Sequence, residues 1–279
     1  MTGQSTTESI RCDSAERFIA GRGMLQGTRP LKRWRWVGIF DEDLMACAAQ
    51  VRIGPARQSF WALHEPATGA LRERTRLLPR RGEVELAPGR VLIEDRGVRL
   101  ELELDEDEGF SARCANGRSE SWTRKQAGIQ ARGTLVLDRA RPRAVESLAV
   151  IDDSAGWHAR VTEWHWSAGV GLASDGAPLA WNLVSGVNDP PVGSERAVWV
   201  RGAPHEVAPV EFEEDLSAIR GEDGSELRFT ATAERSRRDN LLVVSSDYRA
   251  PFGTFSGTLP GGIELVQGRG VMEHHRARW

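Results

Sequence analysis

The sequence predicts an all-β protein made of two antiparallel β units in tandem, with very little helix. Three observations carry this. The dominant period of apolar residues is two: Val98-Arg-Leu-Glu-Leu-Glu-Leu104 alternates without a fault, the pattern of a half-buried strand. The 29 glycines and 13 prolines leave no room for long helices. About fifteen short apolar runs recur at near-regular spacing, whereas one barrel or sandwich uses roughly seven to ten strands.

Residues 1–28 form an N-terminal segment whose helix candidate is a turn or two at Asp13–Ala20, capped by Asp13 or Ser14. The first unit, 29–125, has strand runs at 32–40, 44–53, 58–64, 83–87, 90–95 and 98–104. Turn signals at Ala67-Thr-Gly69, Ala87-Pro-Gly89, Asp95-Arg-Gly97 and Asn116-Gly117 separate segments there. Ser119–Ala131 is polar and fits neither period, so the break between units is expected within it. The second unit, 126–279, has runs at 133–138, 145–151, 161–170, 179–187, 196–201, 207–213, 226–232, 241–247 and 263–277. Its turn signals are Ser174-Asp-Gly176, Glu222-Asp-Gly224 and Pro260-Gly-Gly262.

Charge and composition exclude several functions. With 37 basic and 40 acidic residues in 279, the net charge of −3 argues against a nucleic-acid clamp or a membrane-surface binder. Charged residues at 28% and hydrophobic ones at 40% describe a soluble globular chain. Cys12, Cys47 and Cys114 offer no C-x-x-C spacing, so neither a disulfide framework nor a zinc site is expected. The first residues have no apolar signal-peptide core, and no apolar run approaches the roughly 18 residues of a membrane span. The expectation is a reduced, cytoplasmic protein. G-x-S-x-G, Walker A, H-E-x-x-H and G-x-G-x-x-G-helix motifs are missing, so no nucleotide, metal or other cofactor is expected. Two biases remain: the basic residues are Arg except for Lys32 and Lys125, and ten Trp stand against a single Tyr, Tyr248.

Candidate chemistry is densest in the last strand. In Val271-Met-Glu-His-His-Arg-Ala-Arg-Trp279, one face holds Val271, Glu273, His275, Ala277 and Trp279. It is the more apolar face, so it should point inward and carry Glu273 and His275 with it. Burial moves both groups toward working pH, which makes them candidate acid–base residues; a structural pair is the alternative. His274 and His275 fall on opposite faces and cannot chelate well. Trp164 and Trp166 share one face of another candidate strand, opposite Glu163 and His165, and serve either as core or as a ligand wall. Which face points inward is open, and His165 matters only if the Trp face points out. Arg124 and Lys125 lie at the expected crossing and could hold a substrate oxygen or simply be solvated. Asp152 ends a strand and is either turn chemistry or an acid. Asn182, in mid-strand, needs a hydrogen-bond partner. Glu195 is a further carboxylate, and sugar chemistry could pair it with Glu273.

Several of these stretches resemble the bacterial family of unknown function numbered 2804. They are Lys32-Arg-Trp34, Thr123-Arg-Lys125 with Gly128, Asp152 through Glu163-Trp-His-Trp166 with Gly169, and Trp181-Asn-Leu-Val-Ser-Gly186. Glu195 with Trp199 and Gly202, Asp239-Asn240, Tyr248 with Phe252-Gly-Thr-Phe-Ser-Gly257, and Gly270-Val-Met-Glu-His-His275 complete the set. Asp153-Ser-Ala-Gly156 departs from the tryptophan-rich pattern expected there. More distantly, the strand ending in Asp, the W-x-W strand and the Asp175-Gly176 turn resemble the tandem lipocalin-like proteins, such as carotenoid 1,2-hydratase, tocopherol cyclase and lipocalin-like Diels–Alderases. That resemblance implies two lipocalin-like barrels or sandwiches, with a ligand inside a barrel or between the two.

Two functions follow as expectations. One is a cofactor-free lyase, isomerase or cyclase acting on a hydrophobic or partly polar small molecule. Glu273 and His275 would then be its acid–base pair, and Arg124, Lys125, Asn182, Trp164, Trp166, Glu195 and Asp152 would contact the substrate. The other is a non-catalytic carrier of a lipid-like ligand. Both require a cavity above roughly 300 Å³. Oligomeric state stays open.

Overall fold

The computed structural model describes residues 14–117, 119–241 and 244–278. Helix α1 (Ala15–Ile19) is one turn, its N-cap Ser14 accepting from the Arg17 N–H at 3.2 Å. Asp13 and Cys12 lie outside the described residues. After α1 comes a two-residue pairing of Leu25–Gln26 with Arg29–Pro30, and then two large antiparallel sheets.

The first sheet contains β1 (Lys32–Phe40), β2 (Met45–Ile53), β3 (Ala56–Glu65), β4 (Ala70–Arg76), β5 (Val84–Ala87), β6 (Arg90–Asp95), β7 (Val98–Leu104), β8 (Phe110–Asn116), β9 (Ser119–Leu137) and β10 (Arg143–Gly156). Its order is β4-β3-β2-β1-β10-β9-β7-β6-β5, with β8 paired to β9. The second contains β11 (Val161–Ala173), β12 (Pro178–Ser185), β13 (Ala197–Val200), β14 (Ala203–Glu206), β15 (Val210–Phe212), β16 (Ala218–Gly221), β17 (Glu226–Leu241), β18 (Val244–Leu259) and β19 (Ile263–Arg278). Its order is β14-β13-β12-β11-β19-β18-β17-β16-β15. The two sheets share one plan. A four-strand meander starts at the centre, and the last strand returns to pair with the first, β10 on β1 and β19 on β11.

Each sheet curls around its own core. Val37, Ile39, Trp61, Leu100 and Ile151 are buried inside the first, and Trp181, Leu227, Phe255 and Met272 inside the second. A third core lies between the sheets, where Trp36, Phe40, Ala49 and Val150 meet Trp166, Ala168, Phe252 and Val271. The central strands are thus buried on both faces, one side chain in a sheet's own core and the next in the shared one.

Local chemistry explains most elements. The glycines of the sequence-predicted turns, Gly69, Gly89, Gly97, Gly117, Gly176, Gly224 and Gly262, all have positive φ. The segment 119–131 is not a break. Ser119–Leu137 is one long strand of the first sheet, and the chain passes between the sheets at 157–160. Its buried polar residues find partners within the fold, Thr123 in Ser154, Gln126 in Glu106, Ser121 in Asn188 and Lys125 in Asp152 and Glu195, which periodicity cannot show. The strand at Ala70–Arg76 also escapes the apolar pattern. It is an edge strand with a single large apolar side chain, held by its ladder to β3.

Candidate active site

The shared core opens into a cavity at the end of the sheets where β1 begins and β19 ends. Its volume is about 200 Å³, below the expected size for a ligand site. The walls are aromatic: Trp34, Trp36 and Phe60 come from the first sheet, and Trp164, Trp166 and Tyr248 from the second. The Trp face of β11 therefore points to the first sheet, and Trp166 meets Trp36 edge-on at 5.0 Å. His165, on the other face, is half-buried and stacked on His274 at 4.4 Å. The antiparallel register sets Trp166 opposite Glu273 and Trp164 opposite His275. Those four side chains share one face, so Glu273 and His275 point between the sheets rather than into a barrel.

Glu273 is 9% exposed. Its Oε1 accepts from Trp164 Nε1 at 2.8 Å, and the Tyr248 hydroxyl donates to the same carboxylate. Burial pushes its pKa up to about 7 against the pull of these two donors. Because the pKa is raised on folding, the protonated form stabilises the native state. That contribution is complete below the unfolded value near 4.5 and is lost as pH rises through about 7. Relative to Glu273→Gln, the wild type should lose about 2.5 kcal/mol between pH 5 and pH 8, most of it below pH 7 at about 1.4 kcal/mol per pH unit. Urea unfolding of both proteins at the two pH values checks this; parallel curves would refute the burial account.

His275 takes a different partner. Its Nε2 lies 2.8 Å from Ser246 Oγ, and its ring packs 4.3 Å from Trp164. Burial, with His274 nearby, pushes its pKa down to about 3, so the imidazole is neutral near pH 7.

The opposite wall carries Asp152 and Glu195, whose shared partner is Lys125. Lys125 Nζ is 2.5 Å from Asp152 Oδ1 and 3.3 Å from Glu195 Oε1, and it is 1% exposed. It stands behind the wall rather than in the cavity. Trp34 Nε1 donates to Asp152 Oδ2 at 2.9 Å, and Asn188 Nδ2 donates to Glu195 Oε2 at 2.9 Å. A β-bulge makes this possible. Between Ala127 and Ile129 the register shifts at Gly128, whose φ is +75°. Before the bulge Lys125 and Ala127 face the second sheet; after it Ile129 and Ala131 face the first sheet's core.

Three residues that the sequence nominates for substrate contact do not line the cavity, and these are corrections: Lys125, behind the wall, and Arg124 and Asn182. Arg124 alternates to the other face of β9, where it binds Asp153 at 2.8 Å and Glu106 at 3.5 Å. Asn182 is fully buried and does not reach the cavity. Its Oδ1 accepts from Trp166 Nε1 and its Nδ2 donates to the Glu195 carbonyl, both at 2.8 Å. Replacing Asn182 by Leu orphans two buried polar groups and should cost about 2–3 kcal/mol in thermal or urea unfolding. A loss near zero would show that water takes both places.

Tyr248 and Arg235 are site residues that sequence reasoning missed. A second bulge, between Ala231 and Ala233, turns Arg235 toward the first sheet. Its Nε donates to Glu73 Oε2 at 2.7 Å, and its guanidinium lies 4.2 Å over the Phe60 ring. The abundance of Arg hid it, but Tyr248 could have been found as the chain's single Tyr. Cys47 and Cys114 are buried free thiols. Among the described residues no group of three His, Cys, Asp or Glu converges, and no helix is long and apolar enough to cross a membrane.

The family model of the domain of unknown function DUF2804 matches residues 90–279. The chain belongs to the DUF2804 family. The matched part of this DUF2804 protein includes Lys125, Asp152, Glu195 and Glu273, while Trp34 and Trp36 precede it. No curated protein matches the sequence. Among solved structures, the DUF2804 chain is similar to a protein designated AttH from Nitrosomonas europaea. The two are 16% identical, the match covers 88% of this chain and 92% of that one, and the TM-score is 0.54. It is also similar to kievitone hydratase from Nectria haematococca, with 8% identity, coverage of 87% and 88%, and a TM-score of 0.55. At these identities the likeness is one of fold, that of the lipocalin-like tandem barrels.

Proposed function

We propose that this DUF2804 protein is a cofactor-free acid–base enzyme of the hydratase, isomerase or cyclase type. Its substrate is a hydrophobic or partly polar small molecule whose reacting part sits between the sheets. The observation that carries this is Glu273: a buried carboxyl with a pKa of about 7, hydrogen-bonded on one face of an aromatic cavity. In its protonated form it can deliver a proton to an alkene or enol carbon. Its carboxylate, or the neutral His275, can then take a proton from an adding water or from a neighbouring carbon. The rings of Trp164, Trp166 and Trp36 suit a developing carbocation, which their faces attract as they would any cation. Asp152 and Glu195, held by Lys125, supply polar groups on the opposite wall. Fold-level analogy to a hydratase supports the same class. The cavity exceeds the roughly 150 Å³ that accommodates benzene but not the size of drug-like ligands, so a larger substrate enters by one end only.

Native mass spectrometry of protein purified from its own host should reveal a bound molecule. Incubated with that molecule in D₂O, the wild type should place deuterium on a carbon of the product. Recovery of the molecule unchanged would instead make the protein a carrier.

A further inference from the structure

We infer that the molecule bound between the sheets carries an anionic oxygen group on its apolar body, and that Arg52, Arg57, Arg80 and Arg81 receive it. The inference rests on the inter-sheet cavity being a ligand site, and it adds the class of ligand. That cavity is too small to enclose a long hydrophobe, and it is not isolated. A cleft of about 960 Å³ lies at the open end of the first sheet, and Trp34, Val51 and Gln58 line both spaces. The two spaces lie on opposite faces of β1–β3, the cleft against Arg33, Arg35 and Arg52 and the cavity against Trp34, Trp36 and Val51, so a molecule that outgrows the cavity reaches the cleft over the rim at the β2–β3 turn and the loop after Leu77.

The cleft is basic in a chain whose net charge is −3. Some of its arginines are neutralised in place: Arg33 by Glu16, and Arg35 and Arg124 by Glu106 and Asp153. Arg52, Arg57, Arg80 and Arg81 have no side-chain hydrogen bond or ion pair among the described residues. Glu85 and Asp107 line the same cleft, and no ion pair joins them to these four among the described residues. Arg52 and Arg57 are direct cross-strand partners on the β2–β3 hairpin, where like charges oppose folding. An anion between them reverses that repulsion. Arg80 and Arg81 follow Leu77, which lines the aromatic cavity, so one loop touches both the apolar and the charged space. An apolar body with a carboxylate or phosphate at one end fits this division, and an uncharged hydrophobe leaves four cations unused.

Tryptophan fluorescence of the full chain tests this with decanoate and decanol, which share a tail and differ in charge; Trp34, Trp36, Trp164 and Trp166 report occupancy. Decanoate should bind at least about tenfold more tightly than decanol, as one charge-assisted hydrogen bond allows, and added salt should erode the difference. Arg52→Gln/Arg57→Gln or Arg80→Gln/Arg81→Gln should lower decanoate affinity toward that of decanol and leave decanol unchanged. All four positions are exposed, so folding is not at risk. Equal wild-type affinities would overturn the inference while leaving the cavity as a ligand site. A preference that survives both double variants would overturn the assignment to these arginines. Binding of neither probe would overturn both this inference and the cavity reading.

Discussion

Glu273→Gln should lower turnover of the bound substrate by about 10²–10⁴-fold, the range of a positioned general acid, and leave ligand affinity within a few-fold. The amide keeps the size of the side chain and can still accept from Trp164 Nε1, the 2.8 Å contact that fixes the carboxyl. What it loses is the transferable proton. Binding and chemistry therefore separate, and a fall in kcat with a steady KM or Kd is the signature. The wild-type rate should also fall as pH rises through about 7, where the acid form is titrated away. His275→Gln gives a contrast. Its imidazole is held neutral by burial, so its loss should remove the basic arm without moving the limb near pH 7. If Glu273→Gln turns over normally, the proton comes from another group. If its only consequence is altered stability, Glu273 is a structural carboxyl tying β19 to β11.

The strands and the tandem plan were legible because alternation and glycine turns are local properties. So was the shared face of Glu273 and His275, since a period of two needs no tertiary knowledge. The faces became illegible at two places, and each is a bulge. Gly128 reverses the alternation of β9, so an unbroken reading from the core at Ile129 and Ala131 would send Lys125 to the wrong side. The shift after Ala231 does the same for Arg235. Arg124 and Lys125 illustrate the cost: neighbours in sequence, they lie on opposite faces, one at the mouth of the first sheet and one beside the inter-sheet cavity. Both lysines of this arginine-rich chain are 1% exposed, and a compact ammonium fits where a planar guanidinium does not.

Lys125→Met should destabilise the protein by about 3–5 kcal/mol at pH 7, the usual cost of removing one partner from a buried ion pair. Lys125 is stabilised in its charged form by Asp152 and Glu195 against strong desolvation, so its pKa stays above the ordinary value. The methionine fills much of the same volume, so packing loss is small and the change is mainly electrostatic. It leaves two buried carboxylates facing one another across the vacated ammonium position. Burial already raises the Glu195 pKa, and Lys125 is the main opposing influence. Without it the Glu195 pKa rises further, and the loss of stability grows as pH rises through its folded value. Urea unfolding should therefore show the variant closest to wild type near pH 5 and furthest from it near pH 8. Adding Glu195→Gln and Asp152→Asn removes the uncompensated charges and should recover part of the loss. A single-variant loss under about 1 kcal/mol, or one independent of pH, would mean that the two carboxylates are solvated through the cavity. The triad would then be a polar wall of the site rather than a support for it.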